Sequence, residues 1–203
     1  MSVTLFIILL TTVVSITAFN NHEVFYRMKF NAFLIRSEKS WYRFLSYGLI
    51  HADWVHLIIN MFVLYSFGRI VENRFEYYFE LKSIPYFLLL YVGGLVFSVI
   101  ASYIKNKDNS YYNAVGASGA VSAVLFSSII LYPEGRIIML LLPIPLPAFV
   151  FGILYLVYSA YMAKRASDNV GHDAHFWGAV YGVILTIILR PASIIEFFDY
   201  VFF

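Results

Sequence analysis

The sequence predicts an all-α membrane protein, a bundle of six transmembrane helices, and three observations support this prediction. Of the 203 residues, 61% are hydrophobic and only 13% are charged, whereas a soluble domain carries about 25% charged residues. The mean hydropathy is +0.76. Six apolar segments each approach the roughly 20 residues that a hydrocarbon core of about 30 Å requires. We therefore expect a single polytopic membrane domain over residues 1–203.

The six predicted spans cover residues 3–19, 51–71, 84–104, 116–132, 147–163 and 173–190. The first has no basic start, and no small-x-small cleavage site follows it, so we expect a retained span rather than a signal peptide. Pro143, Pro145 and Pro147 cannot lie inside one helix. Span 5 is therefore predicted to begin near Pro147, after a short apolar piece from Ile137 to Leu142.

The connection between the first two spans, residues 20–50, is both basic and aromatic. It carries Arg27 and Arg43 among its cations, and Trp41 and Phe44 among its rings. A plain basic juxtamembrane loop would explain the charges but not the aromatic residues. We expect a folded loop in the membrane interface, with its apolar side down and its basic side among the headgroups.

The start of span 4 holds a serine among small residues. Ser118 lies between Gly116 and Gly119, so its hydroxyl is poorly shielded by its own helix. Two ordinary explanations exist for such a pattern. A serine in a membrane helix often bonds back to the carbonyl four residues earlier, and small residues often serve tight helix packing.

Polar residues of three spans converge on one face of the predicted bundle. Successive spans alternate in direction, so spans 2, 4 and 6 begin on the same side of the membrane. Their first turns hold His51, His56, Asn60, Ser118 and His175. Because polar residues inside a membrane span are costly, their presence usually indicates function.

These residue types are those that acyl transfer needs. A serine hydroxyl is a weak nucleophile that requires a base, and His175 could accept its proton near neutral pH. The backbone N–H of Ser118 and the side chains of His56 and Asn60 could donate to an oxyanion. Asp173 lies two residues from His175 and should point elsewhere, so we predict a dyad.

A metal site is the less favoured alternative. His51 and His56 are five residues apart, which separates them by about 140° on a helix. His172 and His175 can share a helix face, but no H-E-x-x-H motif supplies a base beside zinc ligands. We expect His172 to lie about one turn nearer the water than His175. The chain has no cysteine, which excludes disulfides, thiolate metal sites and a cysteine nucleophile.

Taken together, the motifs resemble those of the rhomboid intramembrane serine proteases. The matching segments, in chain order, are Trp41-Tyr-Arg43, His51-x4-His56-x3-Asn60, Gly68-x3-Glu72 at the end of the second span, Gly116-Ala-Ser118-Gly119, and Ala174-His175-x2-Gly178-x3-Gly182. Each motif is weak alone, but the set covers all six spans in order. The first departs from the family's pattern by one residue inserted between tryptophan and arginine.

The resemblance implies a function and a set of roles. It implies a Ser118–His175 dyad, with His56 and Asn60 at the oxyanion hole. It gives supporting roles to His51, Gly116, Gly119, Gly178 and Gly182. It implies cleavage of transmembrane protein substrates at or just within the lipid bilayer, with no cofactor, no metal and no nucleic acid partner. On this basis we expect a multi-pass protein of the bacterial cytoplasmic (inner) membrane.

Two features do not follow the family's pattern, and one alternative function stays open. Four residues after the nucleophile, rhomboids often carry an aromatic residue that buttresses the histidine, and here that position is Ser122. The family implies a cytoplasmic N-terminus, yet that orientation puts nine of the 14 Lys and Arg residues outside, against the positive-inside rule. The alternative function is that of an inactive relative that binds transmembrane clients; such proteins would lack the serine or the histidine, and this chain has both.

Overall fold

A computed structural model describes residues 2–139, 142–165 and 171–203, and this part of the chain is mostly helical. The elements are α1 (Val3–Phe19), α2 (His22–Met28), α3 (Ala32–Glu38), α4 (Arg43–Ser46), α5 (Trp54–Phe79), α6 (Ser83–Asn106), α7 (Ser118–Leu131), β1 (Arg136–Met139), β2 (Leu142–Pro147), α8 (Ala148–Arg165), α9 (His172–Leu189) and α10 (Ala192–Phe202).

The helices present apolar side chains outward and keep hydroxyl groups inside. On α5, Val55 and Phe62 are 66% and 61% exposed, whereas Thr11 of α1 and Ser127 of α7 are fully buried. Among the described residues, two stretches are long and apolar enough to cross a membrane: residues 54–106, which contain α5 and α6, and α9. Helices α1 and α7 are apolar but shorter. The count of six spans therefore stays a prediction.

Helix α7 is the centre of the bundle, and every residue from Gly119 to Leu131 is buried. Helix α9 packs directly against its backbone. A Cβ added at Gly178 would lie 2.8 Å from the carbonyl carbon of Gly119, and one added at Gly182 would lie 2.7 Å from the Cα of Ala123. Real Cβ atoms essentially never come closer than 3.0 Å to such neighbours, so only glycine fits at these two positions of α9.

The same contacts fix the direction of the two helices. The pairs Gly119–Gly178 and Ala123–Gly182 advance by four residues on both chains. The next step is a hydrogen bond of 2.7 Å from the hydroxyl of Thr186 to that of Ser127. Because both partners advance together, α7 and α9 run parallel, and their first turns lie side by side.

Residues 20–50 contain three short α-helices, and a buried arginine of α4 binds the end of α2. Arg43 is 3% exposed, and its guanidinium donates to the carbonyl oxygens of Tyr26 and Lys29 at 3.0 and 2.7 Å. These carbonyls end α2, where the last turn of a helix leaves acceptors without intrahelical partners. A cation at this end also complements the helix dipole. The location of this loop in the membrane interface stays a prediction.

A buried tyrosine joins this loop to the helix bundle. The hydroxyl of Tyr47 donates to the carbonyl oxygen of Leu95 on α6 at 2.7 Å and lies 3.0 Å from the hydroxyl of Ser98. Burial raises the pKa of Tyr47 well above its ordinary value, so the hydroxyl keeps its proton and remains a donor. The loop is thereby anchored to the middle of α6.

Most predicted apolar segments coincide with helices to within two residues, but the second does not. Helix α5 runs from Trp54 to Phe79, whereas the predicted span was 51–71. The Gly68-x3-Glu72 motif therefore lies within the helix and not at its end. The apolar run stops near Glu72, but no glycine or proline interrupts the chain before Glu80, whose φ of 48° ends the helix.

The segment between α7 and α8 is a β-hairpin, which the sequence prediction missed. Strand β1 pairs antiparallel with β2, with Arg136 opposite Pro147. The prolines of β2 occupy alternate positions, so the N–H groups of the intervening residues remain available for the ladder, and proline is tolerated on such an edge strand. Residues 140–141 of the predicted apolar piece, and residues 166–170 before α9, lie outside the described residues.

The glycine contact generates the first testable prediction. Gly182→Ala should destabilise the protein by about 1–3 kcal/mol or more, because the added methyl overlaps the backbone of α7 at Ala123. Thermal unfolding in detergent measures this loss. Gly171→Ala is the matched control, since its Cβ would meet Ala174 only at an ordinary 3.7 Å. Equal melting temperatures for the two variants would contradict the close approach of the helices.

Candidate active site

The site begins where the chain enters α7. Gly116 has a φ of +109°, a backbone conformation that favours glycine. A Cβ at this position would lie 2.5 Å from Cε1 of His56, so the imidazole of α5 lies directly over the backbone of Gly116. Two residues later, Ser118 is the first residue of α7 and is half-buried.

Three hydrogen-bonded contacts hold the segment that leads to Ser118. Ala114 forms an antiparallel bridge with Phe30. The nitrogen of Phe30 lies 2.9 Å from the oxygen of Ala114, and the nitrogen of Ala114 lies 3.1 Å from the oxygen of Phe30. The N–H of Gly116 donates to the carbonyl oxygen of Tyr47 at 3.0 Å. The N–H of the next residue, Ala117, donates to Nε2 of His51 at 3.4 Å. Residues 20–51 thus position the backbone just before the nucleophile candidate.

His51 supports this segment from within a fully buried position. Its Nδ1 lies 3.0 Å from the hydroxyl of Ser15 on α1. Since Nε2 accepts from Ala117, the hydrogen-bond network assigns the ring proton to Nδ1, which donates to Ser15. The Ser15 hydroxyl in turn donates to the carbonyl oxygen of Leu49 at 2.9 Å. Both ring nitrogens of His51 are therefore engaged in hydrogen bonds.

His56 and Asn60 lie one turn apart on α5. The side chain of Asp53 caps this helix by accepting from the N–H of His56 at 2.8 Å. Asn60 is 6% exposed, and its side-chain amide donates to the carbonyl oxygen of His56 at 2.9 Å. An asparagine amide has two N–H donors, so this bond uses one of them.

His175 lies in the first turn of α9 between two aromatic neighbours. Its ring centroid is 6.2 Å from that of Tyr155, with an interplanar angle of 26°. It is 5.9 Å from the ring of His172, which is nearly perpendicular to it. Asp173 turns away from this group, because its carboxylate accepts from the hydroxyl of Ser102 on α6 at 2.6 Å.

His172, which was predicted to lie one turn nearer the water, is the first residue of α9 and lies one turn before His175. His172 is 5% exposed and packs edge-on against Tyr158, with ring centroids 5.4 Å apart. Residues three apart on a helix are surface neighbours, so His172 lies beside His175 on one face of α9. Among the described residues, no group of three His, Asp or Glu side chains is close enough to hold a metal ion.

The packing of α9 on α7 brings the turns that carry Ser118 and His175 next to each other. A Cβ at Gly119 would lie 3.4 Å from the carbonyl oxygen of Ala174, and Gly178, on the next turn of α9, abuts Gly119. Ser118 directly precedes Gly119, and His175 directly follows Ala174. His56 closes the group from α5 through its position over Gly116.

Sequence reasoning missed the contribution of α8 to this site. The hydroxyls of Tyr155 and Ser122 lie 2.7 Å apart, which joins α8 to the position where an aromatic residue was expected. The serine at position 122, where an aromatic residue was expected, was the only signal in the sequence. It did not identify Tyr155, because the contact of Tyr155 with His175 depends on how α8 packs against α7 and α9.

Comparisons with known proteins identify relatives of this chain. RHOMBOID-like protein 12, mitochondrial, of Arabidopsis thaliana is 31% identical over 151 residues, which are 69% of this chain and 44% of that protein. Rhomboid-like protein 11, chloroplastic, of the same plant is 30% identical over 168 residues, 77% of this chain and 55% of that protein. Presenilin-associated rhomboid-like protein, mitochondrial, of Homo sapiens is 29% identical over 143 residues, 66% of this chain and 34% of that protein.

These relatives correct the predicted location. Their names assign them to mitochondria or chloroplasts, so the prediction of a bacterial cytoplasmic membrane is wrong. The motifs behind that prediction describe chemistry and helix packing, and neither depends on the compartment. This chain spans only 34% to 55% of the length of the three relatives.

The family model of the rhomboid domain matches residues 38–192. The match begins within α3 and extends to the start of α10, so it includes every residue described at the candidate site except Ser15 and Phe30. The chain therefore belongs to the rhomboid family.

Proposed function

We propose that this chain is an intramembrane serine endopeptidase that cleaves transmembrane proteins at or just within the bilayer, with Ser118 as nucleophile and His175 as base. One observation supports this most directly. The backbone contact between Gly119 and Gly178 sets the first turns of α7 and α9 side by side, and these turns carry the serine and the histidine.

The proposed reaction proceeds in two steps. The imidazole of His175 takes the proton from the Ser118 hydroxyl as its oxygen attacks the carbonyl carbon of the substrate peptide bond. The tetrahedral intermediate collapses, the imidazolium gives its proton to the leaving amine, and an acyl-serine remains. Water, deprotonated by the same imidazole, then hydrolyses the ester and restores the Ser118 hydroxyl.

The oxyanion formed in each step needs hydrogen-bond donors. The N–H of Ser118 belongs to the first turn of α7, where the helix supplies no acceptor. The His56 ring over Gly116 and the second amide hydrogen of Asn60 are the side-chain donors in this proposal. Tethering of the Asn60 amide to the His56 carbonyl oxygen would orient that donor before substrate arrives.

The proposed setting is an organellar membrane of a eukaryotic cell, as the names of the relatives suggest. Helices α1, α5, α6, α7, α8 and α9 would each cross the bilayer, with their exposed apolar faces against lipid. The retention of both Ser118 and His175 favours an enzyme over a relative that only binds transmembrane clients. A serine-directed fluorophosphonate separates these two functions, because only an activated serine reacts with it.

Ser118 should be the residue that the probe labels. Ser118→Ala should fold, lose fluorophosphonate labelling, and lose cleavage of a model transmembrane substrate by about 10⁶-fold, since a serine protease depends on its nucleophile to that extent. In-gel fluorescence and a cleavage assay in proteoliposomes measure both effects. The matched control is Ser128→Ala, which removes a hydroxyl of the same helix that bonds to Leu125. Undiminished cleavage by Ser118→Ala would end the proposal.

His175 should be essential and His172 should not. His175→Ala removes the proposed base, so turnover should fall below detection. His172→Ala removes a neighbour of that base, and turnover should fall by no more than about 10²-fold, the cost of a misplaced catalytic group. The measurement is the turnover number of each variant in proteoliposomes. If His172→Ala were the less active of the two, the assignment of the base would be wrong.

Asn60→Ala should lower turnover by about 10²–10³-fold at most, the cost of one lost oxyanion donor in a soluble serine protease. Apparent substrate affinity should change little, because the oxyanion does not exist in the bound substrate. The matched control is Ser66→Ala, which removes the same kind of side-chain bond to the preceding turn of α5. A weaker affinity with normal turnover would instead assign Asn60 to substrate docking.

A further inference from the structure

Helix α8 contributes a side chain whose two ends contact different parts of the site. The ring of Tyr155 lies near-parallel to the imidazole of His175, with centroids 6.2 Å apart. The hydroxyl of the same residue lies 2.7 Å from the hydroxyl of Ser122 on α7. One residue therefore links the helix of the proposed nucleophile to the ring of the proposed base.

The Tyr155 ring is itself held on two sides. Phe126 of α7 and Phe151 of α8 lie with ring centroids 5.6 and 5.9 Å from it, within the range at which aromatic pairs attract. One turn away, Gly152 lets α8 approach α7, since a Cβ there would meet the side chain of Ile129 at 3.1 Å. The ring thus has a defined place in the gap between α7 and α8.

The hydrogen bond between the hydroxyls of Tyr155 and Ser122 fixes the position of the Tyr155 ring relative to α7. Ser122 is 3% exposed, and a buried hydroxyl needs a partner. Tyr155 is that partner, so each hydroxyl satisfies the other. A phenylalanine or leucine in place of Tyr155 would fill part of the space but leave the serine without this bond.

We propose that Tyr155 is a positioning residue that holds the imidazole of His175 in the orientation needed for proton transfer, and that its hydrogen bond with Ser122 sets the position of the ring. This inference rests on the proposed peptidase function. Proton transfer requires the base within hydrogen-bond reach of the serine hydroxyl, and the near-parallel ring of Tyr155 limits the orientations open to the imidazole of His175.

Replacement of the ring tests the proposal. Tyr155→Leu should lower turnover by about 10- to 100-fold, because misplacing a catalytic group by about 1 Å has such an effect. The apparent substrate affinity should stay close to that of the native chain, whereas the loss of the ring contacts and of the bond to Ser122 should lower the melting temperature. Tyr158→Leu is the matched control: it makes the same change one turn along α8, where the ring contacts His172 instead.

Removal of the hydrogen bond provides the second test. Tyr155→Phe keeps the ring and should restore most of the turnover that Tyr155→Leu loses, with a residual loss of about two- to tenfold for the missing hydrogen bond. Ser122→Ala should cause the same loss. The double variant should lose no more than either single variant, since both remove one bond. A residue that only fills space would not show this non-additivity.

The outcomes separate this proposal from the proposed function. If Tyr155→Leu keeps turnover within twofold of the native chain, Tyr155 does not position the base. If Tyr155→Leu fails to fold, additive or negligible losses for Tyr155→Phe and Ser122→Ala overturn the proposal. In each case the peptidase function stands as long as cleavage depends on Ser118. A native chain that neither cleaves substrate nor takes the fluorophosphonate label would overturn both.

Discussion

Direct backbone contact between α7 and α9 is the constraint on which the rest of the molecule depends. Gly178 and Gly182 face Gly119 and Ala123 with no room for a side chain, so the two helices run parallel in one register. Successive contacts are four residues apart on both helices, and the bond between Thr186 and Ser127 continues this spacing. Without a strong hydrophobic force between helices in lipid, close packing and interhelical hydrogen bonds are the interactions left to hold them. A one-residue slip would turn the glycines away and separate the two first turns.

The other side of the site consists of residues that are distant from these two helices in sequence. The loop of residues 20–50 folds around the buried Arg43 and reaches the segment before α7 through Phe30 and Tyr47. His51 connects the segment before α7 to α1, because its ring bonds to Ala117 and to Ser15. These contacts satisfy buried polar groups, which would otherwise be costly in an apolar surrounding. They also explain why aromatic and basic residues are concentrated in a loop that would otherwise be only a connection.

Much of this arrangement could be predicted from the sequence, since helices follow apolar runs and the glycine spacing of α9 is explicit. The rhomboid resemblance, based on short motifs, is confirmed by the family match. The failures have physical causes. Helix α5 continues past its apolar run because no glycine or proline breaks it before Glu80. The hairpin of residues 136–147 depends on pairing between its two strands, and the alternate prolines of β2 are not typical of a strand. The burial of His172 and the stacking of Tyr155 on His175 follow from the docking of α8, which no periodicity reveals.

An experimental structure of the fluorophosphonate adduct tests the central claim most directly, since it locates the reacted atom and its surroundings together. The expected result is phosphorus on the Ser118 oxygen, with a phosphoryl oxygen facing His56 and Asn60, and with the His175 ring beside the adduct and against Tyr155. A phosphonate on another residue, or a His175 ring turned away from Ser118 while α7 and α9 keep their glycine contact, would contradict the claim that this contact assembles the site.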